Sequence, residues 1–188
     1  MVRKRGKSLD SLVGLYLHEL QDVYDAERQI LKALPRMSKA ASSKELQEAF
    51  KEHEEQTRQQ VNRLEQIFEE MGQKPVGRKC RGMQGILVEG GELLRGEGEP
   101  EVMDAGLVAS AQRVEHYEIS VYGTLCSFAE VLGQKEALEL LQETLEEEKE
   151  TDQRLTQIAE QGINEEAAKV EEEHSLAVHS GGQETSRM

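Results

Sequence analysis

The chain has 188 residues, with 23 Lys and Arg against 37 Asp and Glu, and its formal net charge is −14. This length fits one domain with tails, and so acidic a protein repels phosphate, which disfavours non-specific binding to nucleic acid. Aromatic residues make up only 4% of the chain, and its richness in Leu, Ala, Glu, Gln and Lys favours long helices over a sandwich or barrel.

The first predicted element is a long helix that follows a basic arm. Residues 1–7 form the arm, and Ser8 or Asp10 can cap a helix whose apolar spacing continues to about Ala41. Pro35 lies inside this pattern. Because proline lacks an amide N–H and its ring clashes with the preceding turn, we expect it to kink the helix or to end it just before that residue.

A second long helix and a short third one follow. Ser42 and Glu45 form a capping-box pattern, and the second helix ends at Gly72. Residues 79–95 show helical spacing again, although glycines within them weaken a helix by up to ~1 kcal/mol each. We therefore predict a short helix that packs over a crossover spanning residues 73–100.

Two more long helices complete the chain. One is predicted from Pro100 to Leu132, and the other runs from about Lys135 to Gln161, where the following glycine ends it. Residues 164–188 are acidic and carry no periodic apolar face, so they are expected to be disordered or only locally helical.

The order of these elements predicts an all-α ferritin-like four-helix bundle. The connections within each pair of long helices are short, which makes each pair an antiparallel hairpin, and the long crossover joins the two hairpins. The predicted organisation is an arm over residues 1–7, a bundle domain over 8–163 and a tail over 164–188.

Several polar residues fall on the apolar stripes of the four long helices, near the middle of each helix, where helical spacing puts them on one face. On the second helix Glu54 fits the stripe best, and His53 lies at its edge. No Lys or Arg lies on the stripes; Arg63, for example, falls to the side. The inward polar set comprises Glu27, His53, Glu54, Thr57, Gln60, Glu115, Glu118, Tyr122, Glu148 and Asp152.

Converging carboxylates in a core of low dielectric are costly, because even one unpaired buried carboxylate costs several kcal/mol. Two divalent cations would supply four positive charges against about six negative ones, and carboxylate with imidazole suits iron or manganese. The alternative is that the inward side of these helices is wrongly assigned and that the acids lie on a solvent-exposed face. Tyr24 and Tyr122 lie about one turn from Glu27 and Glu118, and either donate hydrogen bonds to them or pack in the core.

Residues 17–41, 49–72, 111–125 and 140–159 together resemble the bacterial YciE/YciF-like ferritin-like family. The resemblance spans about residues 8–161 and implies a ferritin-like bundle with a di-metal site, often a homodimer, linked to stress responses. Glu115-x-x-Glu118 also resembles the corresponding helix of rubrerythrin-type di-iron proteins. Ferritin-like enzymes usually carry Glu-x-x-His on two helices, whereas this chain has threonine at both histidine positions, after Glu54 and after Glu148.

Taken together, the residues and the resemblance predict a di-metal centre of Fe or Mn in a stress-response protein with possible redox or peroxide chemistry. The predicted metal ligands are Glu27, His53, Glu54, Glu115, Glu118, Glu148 and Asp152. One rival is a non-enzymatic helical interaction protein with a buried polar network and no metal. Another is metal storage, for which nothing in the sequence indicates a mineral cavity.

Location and association are predicted from simpler features. No apolar run approaches the ~18 residues of a membrane span, and the basic N-terminus lacks the apolar stretch of a secretory signal. The two cysteines, Cys80 and Cys126, do not make a disulfide framework, so we expect a cytoplasmic protein. A symmetric homodimer is expected because Met83, Leu138, Leu141 and Ile158 offer additional apolar surface.

Overall fold

The structure is a computed structural model that describes residues 9–170. The predicted arm, together with Ser8, and residues 171–188 of the predicted tail lie outside the described residues. The described part is helical and contains no strand. In chain order its helices are α1 (Leu12–Ala40), α2 (Lys44–Glu70), α3 (Arg81–Leu93), α4 (Pro100–Leu132) and α5 (Lys135–Ile158).

The four long helices form the predicted bundle. Helix α1 packs on α2 and α4 packs on α5, and the two pairs meet where α1 contacts α4 and α2 contacts α5. The short α3 lies in the crossover and packs mainly on α4. Gly133 ends α4 with a φ of 69°, a left-handed conformation that glycine adopts without steric cost. The all-α, two-hairpin prediction is confirmed.

The core consists of two apolar halves separated by a polar layer. One half gathers around Ile30 and Leu155, and the other gathers around Leu20 and Leu141. Along every long helix, buried polar side chains lie between residues of one half and residues of the other. The layer consists of Glu27 on α1, His53, Thr57 and Gln60 on α2, Glu115 and Glu118 on α4, and Glu148 on α5.

Helix α1 has a different N-terminal cap from the predicted one, and of the two outcomes predicted at Pro35 it does not show the helix end. The helix continues past Pro35 to Ala40. Pro35 itself is exposed, while Leu34 and Met37 beside it are buried, so tertiary packing holds the last turn in place. Ser11 caps the helix through its side-chain oxygen, rather than Ser8 or Asp10.

The last helix also differs, because it does not end at Gly162. Five residues, Ala159–Ile163, form a π-helical turn, and residues 164–170 continue as helix. The wider turn accommodates an extra residue. It keeps Ala159 and Ile163 buried, in a turn that contacts α4.

The surface that led us to expect a homodimer is largely absent. Met83, Leu141 and Ile158 are buried inside the bundle, with 0%, 1% and 4% of their surface exposed. Only Leu138 of the original set is partly exposed. The homodimer therefore stays a prediction that these side chains do not support.

Asp104 of α4 anchors the start of α2, where the cap is Ser43 rather than the predicted Ser42. The buried Asp104 carboxylate accepts hydrogen bonds from the Ser42 and Ser43 backbone amides at 2.8 and 2.7 Å, and from the Ser42 hydroxyl at 2.6 Å. An anion at a helix N-terminus also interacts favourably with the helix dipole. This contact joins the two hairpins at one end of the bundle.

We expect Asp104→Ala to lower the free energy of unfolding by about 2–3 kcal/mol, because it removes a charged acceptor and leaves two backbone amides unpaired. Urea unfolding followed by circular dichroism measures the change. The exposed Glu130 on the same helix provides the control, and Glu130→Ala should stay within ~0.5 kcal/mol of wild type. Equal effects of the two substitutions would contradict the anchoring role.

Candidate metal centre

Five ionisable side chains meet in the polar layer, and we call them the central cluster: Glu27, His53, Glu115, Glu118 and Glu148. Each of the four long helices contributes at least one of them. One ligand atom from each of His53, Glu115, Glu118 and Glu148 lies within 4.8 Å of the others. Glu27 adjoins them, and besides burial its charge helps to raise the pKa of Glu118. None of the five is more than 4% exposed.

Helical geometry explains how these side chains converge. Glu115 and Glu118 are three residues apart and therefore lie on one face of α4. Glu27 follows the buried Val23 by four residues and precedes the buried Ile30 by three, so it occupies the inner stripe of α1. The same packing that buries the apolar stripes thus brings the acids inward.

Hydrogen bonds hold one oxygen of two of the carboxylates, Glu27 and Glu148, and leave the other oxygen without a partner among the described residues. The buried Tyr122 hydroxyl donates to Glu27 Oε1, and the Gln60 amide donates to Glu148 Oε1 at 2.5 Å. His53 Nε2 lies 3.5 Å from Glu115 Oε1. Within residues 9–170, the cluster atoms without a hydrogen-bond partner are Glu27 Oε2, both ring nitrogens of His53, Glu115 Oε2, both oxygens of Glu118, and Glu148 Oε2.

Burial dominates the electrostatics of the cluster. The pKa of Glu27 is raised from 4.5 to about 8, first by burial and then by the nearby charge of Glu148, while the hydrogen bond from Tyr122 opposes the shift. Burial followed by the charge of Glu148 holds the pKa of Glu115 well above its usual range. For Glu118 burial is again the largest cause of a strongly raised pKa, and Glu27 adds to it. The folded chain therefore favours protonated carboxyls here.

Arg63 corrects the expectation that no cation lies on an inner stripe. It is the only buried Lys or Arg among the described residues, with 7% of its surface exposed. Its guanidinium donates to both oxygens of Glu147, at 2.6 and 2.7 Å, and to Glu143 at 2.6 Å. Since two acids already face this one cation, Arg63 does not neutralise the central cluster.

The Arg63 pair nevertheless reaches the cluster indirectly. Glu147 Oε2 also accepts a hydrogen bond from Gln60 at 3.0 Å, and the same Gln60 amide donates to Glu148. Arg63 thus orients Glu147, which helps to fix Gln60 against the cluster. Sequence periodicity predicts that Gln60 faces inward, but it does not predict the contacts that link Gln60 to Glu147 and Arg63.

Glu54 and Asp152 lie outside the cluster. On α2 the structure reverses the predicted preference, because His53 is buried and Glu54 pairs with Arg58 at the surface. Adjacent helical residues differ by about 100° around the axis, so a shift of one residue is enough to exchange them. The half-exposed Asp152 Oδ1 lies 3.3 Å from Nε2 of the exposed His116.

Of the other polar residues predicted to face inward, some contact the cluster carboxylates and others do not. Tyr24 donates to Glu65 at 2.7 Å and does not bind Glu27, whereas Tyr122 does bind it. The Thr57 hydroxyl donates to the backbone carbonyl of His53 on the same helix, at 2.7 Å, and not to a carboxylate of the cluster. Tyr122 and Gln60 are therefore the two residues of this group that contact the carboxylates.

The free atoms of the cluster suit a divalent metal ion. Carboxylate oxygens and neutral imidazole nitrogens are hard or borderline ligands of the kind that iron and manganese accept. An unpaired buried carboxylate oxygen is costly, and a cation removes that cost without requiring protonation. The donor set and the unpartnered atoms together fit metal binding.

Comparisons with known proteins agree with this architecture. A family described as Domain of unknown function (DUF892) matches residues 11–168. Protein YciF of Escherichia coli (strain K12) is 42% identical over 161 residues, which cover 85% of this chain and 97% of that protein. No helix within residues 9–170 has the length and hydropathy needed to span a membrane.

Solved structures give the same result. The crystal structure of the E. coli stress protein YciF is 43% identical, with a TM-score of 0.80 over 83% of this chain and 99% of that one. YcfI of Rhodopseudomonas palustris, described as a structural protein, is 40% identical, with a TM-score of 0.78 over 82% of this chain and 98% of that one. The predicted resemblance to YciE/YciF-like ferritin-like proteins is confirmed.

We expect the metal-free protein to lose stability as the pH rises from about 5 to about 8. The pKa of Glu27 is 4.5 unfolded and about 8 folded, so the folded state binds more protons between these values. Its contribution is fully present below the unfolded pKa and is lost as the pH rises through the folded one, by up to about 1.4 kcal/mol per pH unit for each such group.

Urea unfolding at several pH values in the presence of EDTA measures this dependence. Glu27→Gln should make the dependence shallower, because one titrating group is gone. Glu146→Gln is the matched control, since Glu146 is exposed and pairs with Lys149 at the surface, and it should keep the wild-type slope. Stability that rises over this pH range would refute the expectation.

Proposed function

Because the chain belongs to the family described as Domain of unknown function (DUF892), we propose that it is a metal-binding ferritin-like protein whose central cluster holds two divalent cations, iron or manganese. One observation carries this proposal: four buried acids from three helices, Glu27, Glu115, Glu118 and Glu148, each have at least one oxygen without a hydrogen-bond partner among the described residues. Such oxygens are the natural ligands of hard cations.

The proposed ligands are Glu27, His53, Glu115, Glu118 and Glu148. Glu54 leaves the set because its carboxylate pairs with Arg58 at the surface. Asp152 leaves it because its carboxylate contacts the exposed His116 and Gln112 at the edge of the bundle. A ligand set of four carboxylates and one imidazole is rich in negative charge, which favours divalent cations over monovalent ones.

Other residues of the chain orient these ligands. Tyr122 fixes one oxygen of Glu27, and Gln60 fixes one oxygen of Glu148. Hydrogen bonds to ligating carboxylates of this kind set their direction and tune the metal. The apolar halves above and below the cluster limit the access of water. Bound iron or manganese would supply redox or Lewis-acid chemistry within this enclosed layer.

We further propose that the protein acts in a bacterial stress response, in the cytoplasm. This rests on its 43% identity to the E. coli protein described as a stress protein, and on its two free cysteines, which suit a reducing compartment.

A second candidate is a structural protein without metal. The description of YcfI as a structural protein favours it. In that case carboxyls of the central cluster would be protonated and bonded to one another, and the raised pKa values of Glu27, Glu115 and Glu118 are compatible with this too. The two candidates differ in metal content.

We expect protein purified without chelator, or dialysed against Mn²⁺ or Fe²⁺ under anaerobic conditions, to retain two metal ions per chain by elemental mass spectrometry. Glu148→Ala and His53→Ala should each reduce retention roughly tenfold or more, since each removes a direct ligand. Circular dichroism establishes that the variants remain helical.

Neighbouring residues provide matched controls. Glu146→Ala removes an exposed acid from the same helix as Glu148, and Glu54→Ala removes the residue next to His53. Both should bind metal as wild type does. Wild-type protein that retains neither metal after dialysis would favour the structural candidate, and loss of binding in Glu54→Ala would contradict the proposed ligand set.

A further inference from the structure

Two neighbouring cavities share part of their walls, and one of them reaches the central cluster. The inner cavity has a volume of about 140 Å³, and His53 and Glu115 form part of its wall. The outer cavity, of about 250 Å³, lies between α1, α3 and α4. The side chains that line both are Ala33, Met37, Leu87 and Val114. These shared side chains place the two cavities next to each other, and the inner one reaches the cluster at His53 and Glu115.

The inner cavity is shaped for an apolar group. Ile30, Leu34, Phe50 and Leu155 contribute much of its surface. These four side chains are buried, whereas Gln56, Glu150, Thr151 and Arg154 line a polar edge of the same cavity. Met37, which stands between the two cavities, is unbranched and adapts its shape easily. An alkyl chain that entered the outer cavity could therefore extend into the inner one.

The glycines of α3 create the outer cavity. Gly90 and Gly91 both line it, and each glycine inside a helix costs about 1 kcal/mol relative to alanine. A Cβ atom on Gly90 would lie at an ordinary contact distance of 3.5 Å from Ser110 Cβ. The backbone around Gly90 therefore has room for a Cβ atom. A larger side chain at this position would fill the outer cavity, so glycine keeps the cavity open.

Positive charge marks the mouth of the outer cavity. Lys32 and Arg36, one turn apart on α1, both line it and both are exposed. Neither forms an ion pair within residues 9–170. By contrast, Arg154 at the edge of the inner cavity is already paired with Glu52. Two unpaired cations at an apolar opening are notable in a chain with a net charge of −14.

We propose that the paired cavities bind a single-chain anionic amphiphile, such as a medium-chain carboxylate. Its head group lies at Lys32 and Arg36, and its alkyl chain passes Met37 towards His53 and Glu115. Charge complementarity at the mouth and an apolar interior select this ligand class over neutral or cationic molecules. The site goes beyond the proposed metal binding and does not depend on it.

Calorimetric titration of decanoate, below its micellar concentration, into the metal-free full-length protein tests the site. We expect saturable binding of one molecule per chain. Gly90→Leu should abolish it by filling the outer cavity, and Ala33→Leu, in the shared wall, is a second filling variant. Lys32→Glu with Arg36→Glu should weaken binding roughly tenfold, as two lost ion pairs would.

Lys135→Glu is the charge control, because Lys135 is exposed and lines neither cavity; it should bind as wild type does. Decyltrimethylammonium should not bind. Absence of saturable decanoate binding, or wild-type affinity in both folded filling variants, would overturn the proposal. Equal affinity for decanol would assign an uncharged alkyl ligand and overturn the anionic head group. Because no metal is present, each outcome is independent of the metal proposal.

Discussion

The burial of four carboxyls and an imidazole in one layer is the constraint on which the rest of the structure depends. These groups lie between two apolar halves, and within residues 9–170 they face no buried Lys or Arg of their own, since Arg63 is matched by Glu143 and Glu147. Transferring such groups from water costs several kcal/mol each unless their charge is removed or balanced. Protonation and cation binding are the two ways in which this chain can meet that cost.

The hydrogen bonds around the polar layer orient the carboxylates but do not neutralise their charge. Tyr122 donates a hydrogen bond to one oxygen of Glu27 and Gln60 donates one to Glu148, and the other oxygen of each acid has no partner in the part of the chain that the structure describes. A buried network that served packing alone would be expected to satisfy its members, because a half-satisfied network is less stable than an apolar core. The pattern here fits carboxylates that are held in place for a ligand.

Sequence periodicity was sufficient to predict which side chains of the polar layer face inward on three of the four long helices. The acids on α1, α4 and α5 occupy stripes whose apolar neighbours fix the phase of each helix, as Val23 and Ile30 do for Glu27. On α2 the polar residues are consecutive, so the phase is uncertain by one residue and His53 could not be separated from Glu54. Tertiary contacts account for the remaining differences. The Ser42 hydroxyl donates to Asp104, so Ser43 caps α2 instead, and Arg63 is buried because it forms ion pairs with acids on α5.

The most direct test compares the free energies of unfolding of wild type and the Glu115→Gln, Glu148→Gln double variant, at pH 8 in EDTA. If the layer carries charge that only a cation balances, the metal-free double variant should be more stable than metal-free wild type, by on the order of 1 kcal/mol or more. Added Mn²⁺ should stabilise wild type and leave the variant unchanged. A double variant that is less stable than wild type in EDTA would show that these carboxyls belong to a protonated, metal-independent network.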